Sequence, residues 1–255
     1  MSDSLKTIKE RLLLIQEEND PYLELLRQDS RVGVQKLLSQ WEKRLAKEAA
    51  QVAKYQEMMV FEQAFYEQGH RFIAGIDEVG RGPLAGPVVA CAVILSPDHP
   101  IYGLDDSKKL SAKRRGELFT QIQENALGIG IGVVEPSEID RVNIYQASRQ
   151  AMLLAVEELP FPPSALLLDA MTIDSPLPQE KIIKGDARSV SIAAASIVAK
   201  ELRDSLMKEY HEQYPHYGFD KNAGYGTKVH LEGLEKYGPC DIHRCTFAPV
   251  AAVIK

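Results

Sequence analysis

The stretch from Arg71 to Val93, RFIAGIDEVGRGPLAGPVVACAV, sets the tightest limit on what this chain can become. RFIAGID and PVVACAVIL read as two buried strands, and the Gly/Pro-rich turn between them predicts a hairpin. Two adjacent carboxylates, Asp77 and Glu78, close the first run. A carboxylate taken out of water without a partner is costly, so an acid pair at the end of an apolar strand calls for a ligand. Gly80 and Gly82 follow, and they let a ligand approach the backbone closely with N–H groups exposed. Arg81 between them could meet a phosphate. The turn lacks the Gly-Lys-Ser/Thr of a P-loop and the G-x-G-x-x-G spacing of a dinucleotide site.

The rest of the chain divides in texture at about residue 70. Residues 1–70 carry almost no strand signal. Val34, Leu37, Leu38, Trp41 and Leu45, then Met58, Phe61 and Phe65, recur at helical spacing, and NDPY at 19–22 breaks an earlier, shorter helix. Lys43, Arg44, Lys47 and Lys54 lie along one part of the long helix, as a solvated face or as a supplementary nucleic-acid contact. From 71 onward the predicted order is a hairpin, a third strand in ALGIGIGVVEP and a helix in SEIDRVNIYQASRQAMLLAVEEL. That helix opens on a capping box of Ser137 with Asp140. Strands in PSALLLDA and KIIKGDA follow, then helices in SVSIAAASIVAKELRDSLMKEYHEQY and TKVHLEGLEKYG. This order predicts an α/β fold, a mixed sheet flanked by helices, preceded by a helical extension over 1–70 and ending in a C-terminal helical part within 71–255.

Asp77, Asp169 and Asp186 share a place in this pattern: each sits at or just after the end of an apolar strand, where sites gather in open α/β sheets. Asp169 could instead be a turn residue, and Asp186 a helix cap. Taken together they favour a divalent ion, and oxygen ligands without His or Cys favour Mg2+ or Mn2+ over zinc. CDIHRC at 240–245 offers Cys240, His243 and Cys245, but no fourth ligand and the wrong spacing for zinc. Cys91, inside an apolar strand, reads as a small core residue.

The block IAGIDEVGRGPLAGPVVACAVIL closely resembles the signature of the ribonuclease HII family, the type 2 ribonucleases H. The likeness continues through LDDSKKLSAKRR, LLLDAMTI, KGDARSVSIAAASIVAKELRD and GFDKNAGYGTKVHLEGLEKYGPCDIHR, from about Phe72 to the C-terminus. It implies a ribonuclease H-like fold and an endonuclease that cleaves RNA in RNA–DNA hybrids. It also implies nicking of duplex DNA on the 5′ side of an embedded ribonucleotide, leaving 3′-hydroxyl and 5′-phosphate ends, in support of ribonucleotide removal from DNA. The family's four acids fall on Asp77, Glu78, Asp169 and Asp186, as ligands of Mn2+ or Mg2+ in a two-metal mechanism. Its glycine–arginine–glycine element falls on Gly80, Arg81 and Gly82, which read the ribose 2′-hydroxyl, and its sugar-stacking tyrosine on Tyr225. Ser107 and Lys108 are expected on phosphate; Lys109, Lys113, Arg114 and Arg115 are further members of a basic track, and Lys184, Lys200, Arg203 and Lys228 are secondary candidates. The related ribonuclease HIII family prefers longer hybrid stretches and carries a strand-bearing N-terminal domain, from which the helical 1–70 region departs. A noncatalytic hybrid-binding protein is disfavoured by the presence of all four acids.

Bulk properties agree. A net charge of −6 over 255 residues argues against bulk-charge binding to nucleic acid, though not against an enzyme with a local basic path. The three cysteines make no disulfide framework, the polar N-terminus shows no secretory signal, and no apolar run is long enough for a membrane helix. The expectation is a cytoplasmic monomer whose partners are hybrid and ribonucleotide-containing duplex.

Overall fold

The computed structural model describes residues 3–254. The chain forms two compact units, Met1–Lys54 and Tyr55–Lys255. The first holds α1 (Leu5–Leu14), α2 (Pro21–Arg27) and most of α3 (Val32–Met58). Ser4 caps α1 by accepting from the Thr7 N–H, and Asp20 caps α2 with Pro21 in its first turn, which is how NDPY divides the helices. Ile8, Leu12, Leu23, Leu26, Val34, Leu38 and Trp41 form the core of this unit, and the Trp41 indole N–H donates to the Ile15 carbonyl at 3.0 Å. Arg44 donates to the carbonyls of Leu12 and Ile15 at the end of α1, so it is structural, whereas Lys43 and Lys47 are exposed. The long helix read through residue 68 is interrupted at Met59, and α4 (Val60–Glu67) follows it in the second unit.

The second unit is built on a five-stranded sheet of β1 (Ile73–Val79), β2 (Val88–Leu95), β3 (Ala126–Val134), β4 (Ala165–Asp169) and β5 (Gln179–Ile182), ordered β3-β2-β1-β4-β5. β1, β2 and β3 are antiparallel neighbours; β4 runs parallel to β1 and β5 parallel to β4. α5 (Ala112–Asn125) precedes β3, and α6 (Pro136–Val142) and α7 (Ile144–Glu157) lead to β4. After β5 come α8 (Val190–Gln213), α9 (Phe219–Asn222), α10 (Lys228–Tyr237) and α11 (Ala248–Ala251). This is the expected mixed sheet flanked by helices.

Each face of the sheet is covered at close range because the sequence supplies small residues where helix meets strand. On one face α7 packs through Ala147, Ala151 and Ala155 against Ala74, Ile76, Ala90 and Ala92. A Cβ on Gly130 would lie 2.0 Å from the Ala155 oxygen, and one on Gly132 1.9 Å from the Ala151 oxygen. The low side-chain bulk of ALGIGIGVV is therefore the space α7 occupies. On the other face α5 and α8 pack on Cys91, Val93 and Leu95, with Ala193, Ala194 and Ala195 at the contact. A Cβ on Gly75 of β1 would fall 2.1 Å from the Ser191 carbonyl carbon of α8, so strand and helix meet backbone to backbone.

Three local expectations are corrected. Ser137 and Asp140 do not form a capping box, because Glu135 is the N-cap and Pro136 opens α6. The Asp140 carboxylate instead accepts from the N–H groups of Cys245 and Thr246, at 2.7 and 2.9 Å. The helix read through 137–159 also breaks at Asn143 (φ 70°), whose side chain caps α7 by accepting from Tyr145 and Gln146. KIIKGDA ends as a strand at Ile182, leaving Asp186 in a separate single-turn 3-10 helix, Gly185–Ala187. Among the described residues, no helix is long and apolar enough to cross a membrane.

The Gly75 contact leaves neither backbone room to retreat. Gly75→Ala is expected to lose about 3 kcal/mol of unfolding free energy in a denaturant titration. A loss under about 0.5 kcal/mol, the size of an ordinary surface change, would show that α8 does not rest on β1 this closely.

Candidate active site

The parallel pairing of β1 with β4 brings the first two acids together. The register runs from Ile73 opposite Ala165 to Ile76 opposite Leu168, and the next residues along are Asp77 and Asp169. Neighbouring strands are about 4.8 Å apart, and side chains alternate between faces, so these two stand side by side on one face. It is the α8 face: Asp77 hydrogen-bonds Ser196 of that helix. The third acid follows β5, the next parallel strand. Gly185, in the turn that carries Asp186, donates its N–H to Asp169 Oδ1 at 2.7 Å. A Cβ there would meet Ile192 Cδ1 at 2.6 Å and Asp169 Oδ1 at 3.3 Å, so the turn packs closely against both. Ala170 (φ 51°) after Asp169 and Lys184 (φ 56°) before Gly185 are held in the left-handed region. Such non-glycine residues are uncommon and often mark functional turns.

Glu78 completes the group. Its N–H donates to Asp77 Oδ1 at 2.8 Å, and Arg81 Nη1 lies 3.3 Å from its Oε1. The other carboxylate oxygen, Oε2, is buried and has no hydrogen-bond partner among the described residues. Burial is the first cause in raising all four carboxyl pKa values, and mutual repulsion adds to it. Asp77 is pushed well above the carboxylate range by burial, then by Glu78 and Asp169. Glu78 rises to about 7, through burial opposed by Arg81 and reinforced by Asp169. Asp169 and Asp186 are also raised by burial, with Asp106 and, for Asp186, Asp169 contributing.

Lys108 faces this negative charge. Burial works to lower its pKa, yet Asp77, Asp106 and Asp186 outweigh that and hold the ammonium on. Ser107 is buried, and its hydroxyl lies 3.0 Å from that of Ser196. It thus belongs to the hydrogen-bonded layer under Asp77. Asp106 was missed in the sequence reading. Its signal was the acid pair in LDDSKK, and its carboxylate accepts from the Lys108 N–H at 2.9 Å.

The glycine turn lies beside the acids. Gly80 adopts φ 94°, and a Cβ on it would meet Arg203 Nε at 2.2 Å. Its lack of a side chain therefore serves inward packing as well as any outward approach. A Cβ on Gly82 would come 3.4 Å from the Tyr225 ring, so Gly82 and Tyr225 border the same space; Tyr225 is 46% exposed.

Several basic candidates have partners within the protein. Arg203 is fully buried and bonded to main-chain carbonyls, out of reach of a phosphate. Arg115 pairs with Glu201 and Asp204, Lys200 with Asp204, and Lys228 with Glu232. Lys109 lies 3.7 Å from Asp105, and Arg114 pairs with Glu117. Cys240 and His243 are joined by hydrogen bonds, with the Cys240 N–H donating to His243 Nδ1 at 2.9 Å.

The donor set suits a divalent cation. It is all carboxylate, it repels itself, and the buried Glu78 Oε2 is an acceptor left without a donor. Among the described residues, no group of three or more His, Cys, Asp or Glu side chains is placed so as to hold a metal ion. Glu78 leans on Arg81, and Asp169 is held by Gly185.

The Ribonuclease HII family model matches residues 74–250, and the Ribonuclease HII N-terminal domain model matches residues 4–66. The helical extension, on which the resemblance read from motifs was silent, is thus a domain known in this family. The ribonuclease HII of Enterococcus faecalis is 57% identical over 252 residues, covering 99% of each chain. In fold, the chain is similar to the ribonuclease H2 of Pyrococcus horikoshii, with a TM-score of 0.61 at 24% identity over 72% of this chain and 97% of that one. It is also similar to Bst-RNase HIII, solved in complex with Mn2+, with a TM-score of 0.57 at 19% identity over 74% of this chain and 70% of that one. On the extent of the family match and the identity to its relatives, the chain belongs to the ribonuclease HII family, whose members are hydrolytic endonucleases of the ribonuclease H type.

Proposed function

We propose that this chain cleaves the RNA strand of RNA–DNA hybrids and nicks duplex DNA on the 5′ side of an embedded ribonucleotide, leaving 3′-hydroxyl and 5′-phosphate ends. Asp77, Glu78, Asp169 and Asp186 are its metal-binding and catalytic residues, and Mn2+ or Mg2+ is the cofactor. The observation that carries the reading is the group of raised-pKa carboxylates at the ends of parallel strands, with an orphaned buried oxygen among them, beside a glycine turn. Divalent ions held by these residues would supply an activated water and neutralise charge developing on the scissile phosphate.

The chain's own residues do the rest. Asp77 and Asp169 offer oxygens from rigid strand ends, and Asp186 from a turn fixed by the Gly185 N–H. Glu78, which leans on Arg81 at 3.3 Å, would offer its oxygens to the cation, and Arg81 would then be free to meet the substrate phosphate. The N–H groups around Gly82 read the 2′-hydroxyl, and Tyr225, across from Gly82, stacks on the neighbouring sugar. Lys108, held charged by the acids, sits where a phosphate would replace their attraction. The same reading assigns the protein to ribonucleotide removal from DNA in the cytoplasm, acting as a monomer.

Three outcomes test this. An end-labelled DNA duplex with a single ribonucleotide, incubated with Mn2+ or Mg2+, should be cut on the 5′ side of that ribonucleotide; cutting confined to runs of several ribonucleotides would defeat the assignment. Asp77→Asn should bind hybrid and leave it uncut, and undiminished cleavage would remove Asp77 from the metal site.

The electrostatics give the third outcome. Glu78 titrates at about 7 in the folded chain against an ordinary 4.5, so its ionisation opposes folding as pH rises through that window. Metal-free Glu78→Gln should therefore gain stability above pH 7, by up to roughly 3 kcal/mol at ~1.4 kcal/mol per unit, and gain nothing at pH 4. In the parent protein, Mn2+ affinity measured by calorimetry should fall as pH drops below 7, with proton release on binding. A pH-independent stability difference between the two proteins would contradict the assigned titration.

A further inference from the structure

Two arginines lie beneath the glycine turn without touching any acid. Arg203 on α8 is 1% exposed and Arg244, near the C-terminus, 0%. Among the described residues neither has a carboxylate at ion-pair distance. Their guanidinium groups are satisfied by main-chain carbonyls instead. Arg244 donates to Gly80 and Arg81 through its two terminal nitrogens, and through Nε and Nη2 to Gly86 at 3.0 and 2.8 Å. Arg203 donates to Pro87 at 2.9 Å, Ala85 at 3.1 Å and Ala223 at 2.8 Å. Burying two cations side by side is expensive, and apolar residues would fill the space more cheaply. Burial lowers both pKa values, to about 10 for Arg203 and about 9 for Arg244, so both remain charged at neutral pH.

The geometry of the peptide unit shows what this arrangement accomplishes. A trans peptide sets its C=O and the following N–H in opposite directions, and the chain has no cis peptides among the described residues. With the carbonyls of Gly80 and Arg81 turned in toward Arg244, the N–H groups of Arg81 and Gly82 are directed away from it. Neither N–H has an acceptor among the described residues. Two glycines flank this peptide pair, and glycine backbone has little steric preference of its own. Without the guanidinium fork, either peptide could turn over and present a carbonyl to the substrate.

We propose that Arg244 and Arg203 are positioning residues for ribonucleotide recognition, fixing the peptide orientation that points the Arg81 and Gly82 N–H groups at the substrate. The inference rests on the reading above, in which this turn meets the ribose 2′-hydroxyl and its phosphate. Arg244 sets the two peptides directly. Arg203 ties the far side of the same turn to Ala223, two residues before Tyr225, so the turn and the stacking residue share one support.

Full-length Arg244→Lys and Arg203→Lys keep the charge and lose the fork. With saturating Mn2+ and a single-ribonucleotide duplex, the expected result for Arg244→Lys is a KM raised about tenfold or more with kcat changed by less than about threefold. Mn2+ affinity by calorimetry should be unchanged. Binding of an all-DNA duplex in Ca2+ should also be unchanged, so ribonucleotide discrimination is what falls. Arg203→Lys should move the same way to a smaller degree. An unchanged KM, or equal weakening toward both duplexes, would reduce the pair to a structural prop.

A measurement on the parent protein covers the case of a Lys variant that does not fold. The side-chain Nε–H resonances of Arg203 and Arg244 should be slowly exchanging. They should shift when the ribonucleotide duplex is added in Ca2+ and stay in place with all-DNA duplex. Identical responses to the two duplexes would overturn the inference. A parent protein that fails to nick the ribonucleotide duplex would instead overturn the function on which the inference stands.

Discussion

The contact of α8 with β1 at Gly75 is the constraint from which the site follows. Because Ser191 rests against bare strand backbone, the start of α8 lies directly on β1. That placement brings Ser196 to Asp77 and sets the Gly185–Asp186 turn, just before the helix, against Asp169. Glu62 of α4 reinforces it. Its buried carboxylate accepts from the Ser189 hydroxyl at 2.6 Å and the Ser191 N–H at 3.0 Å, a cap supplied from another helix to the positive end of α8. A larger residue at 75 would lift the helix, and with it two of the partners that hold the acids in place.

The second organising fact is that charges of both signs are buried apart. Asp77, Glu78, Asp169 and Asp186 are gathered with little cationic compensation, and burial holds their pKa values up. Close by, Arg203 and Arg244 are surrounded by carbonyls. Folding alone would favour pairing these groups or replacing them with apolar ones. Keeping them separate leaves an anionic site suited to a cation and a main-chain surface whose N–H groups suit an anion or a hydroxyl. The turn at 80–87 joins the two, and its glycines serve both, since Gly80 makes room for Arg203 below while Gly82 faces Tyr225 above.

Much of this was legible in the residues. The strand runs, the helical texture before residue 70 and the small residues of SIAAAS and ALGIGIG all predicted elements that the fold contains. Asp77 and Glu78 stood out because an acid pair is unfavourable at the end of an apolar run. Less was legible where a side chain acts across the chain. Asp140 read as a helix cap, but its partners are the N–H groups of Cys245 and Thr246, more than a hundred residues away. Arg203 read as one more cation on a basic track. Its burial depends on the turn at 85–87 arriving over α8, which no local spacing announces.

The sequence by itself determined which elements form and which chemistry is available. Local propensity and apolar period act over a few residues, and the acids and glycines are written at strand ends. The tertiary structure alone decided which of those groups meet. Register places Asp77 beside Asp169, crossing helices choose which cations are sealed beneath the turn and which stay in solvent, and the direction of each peptide is fixed by donors from distant segments. Those outcomes depend on contacts between residues far apart in the chain, and the free energy of each is set by burial, which exists only once the whole unit has packed.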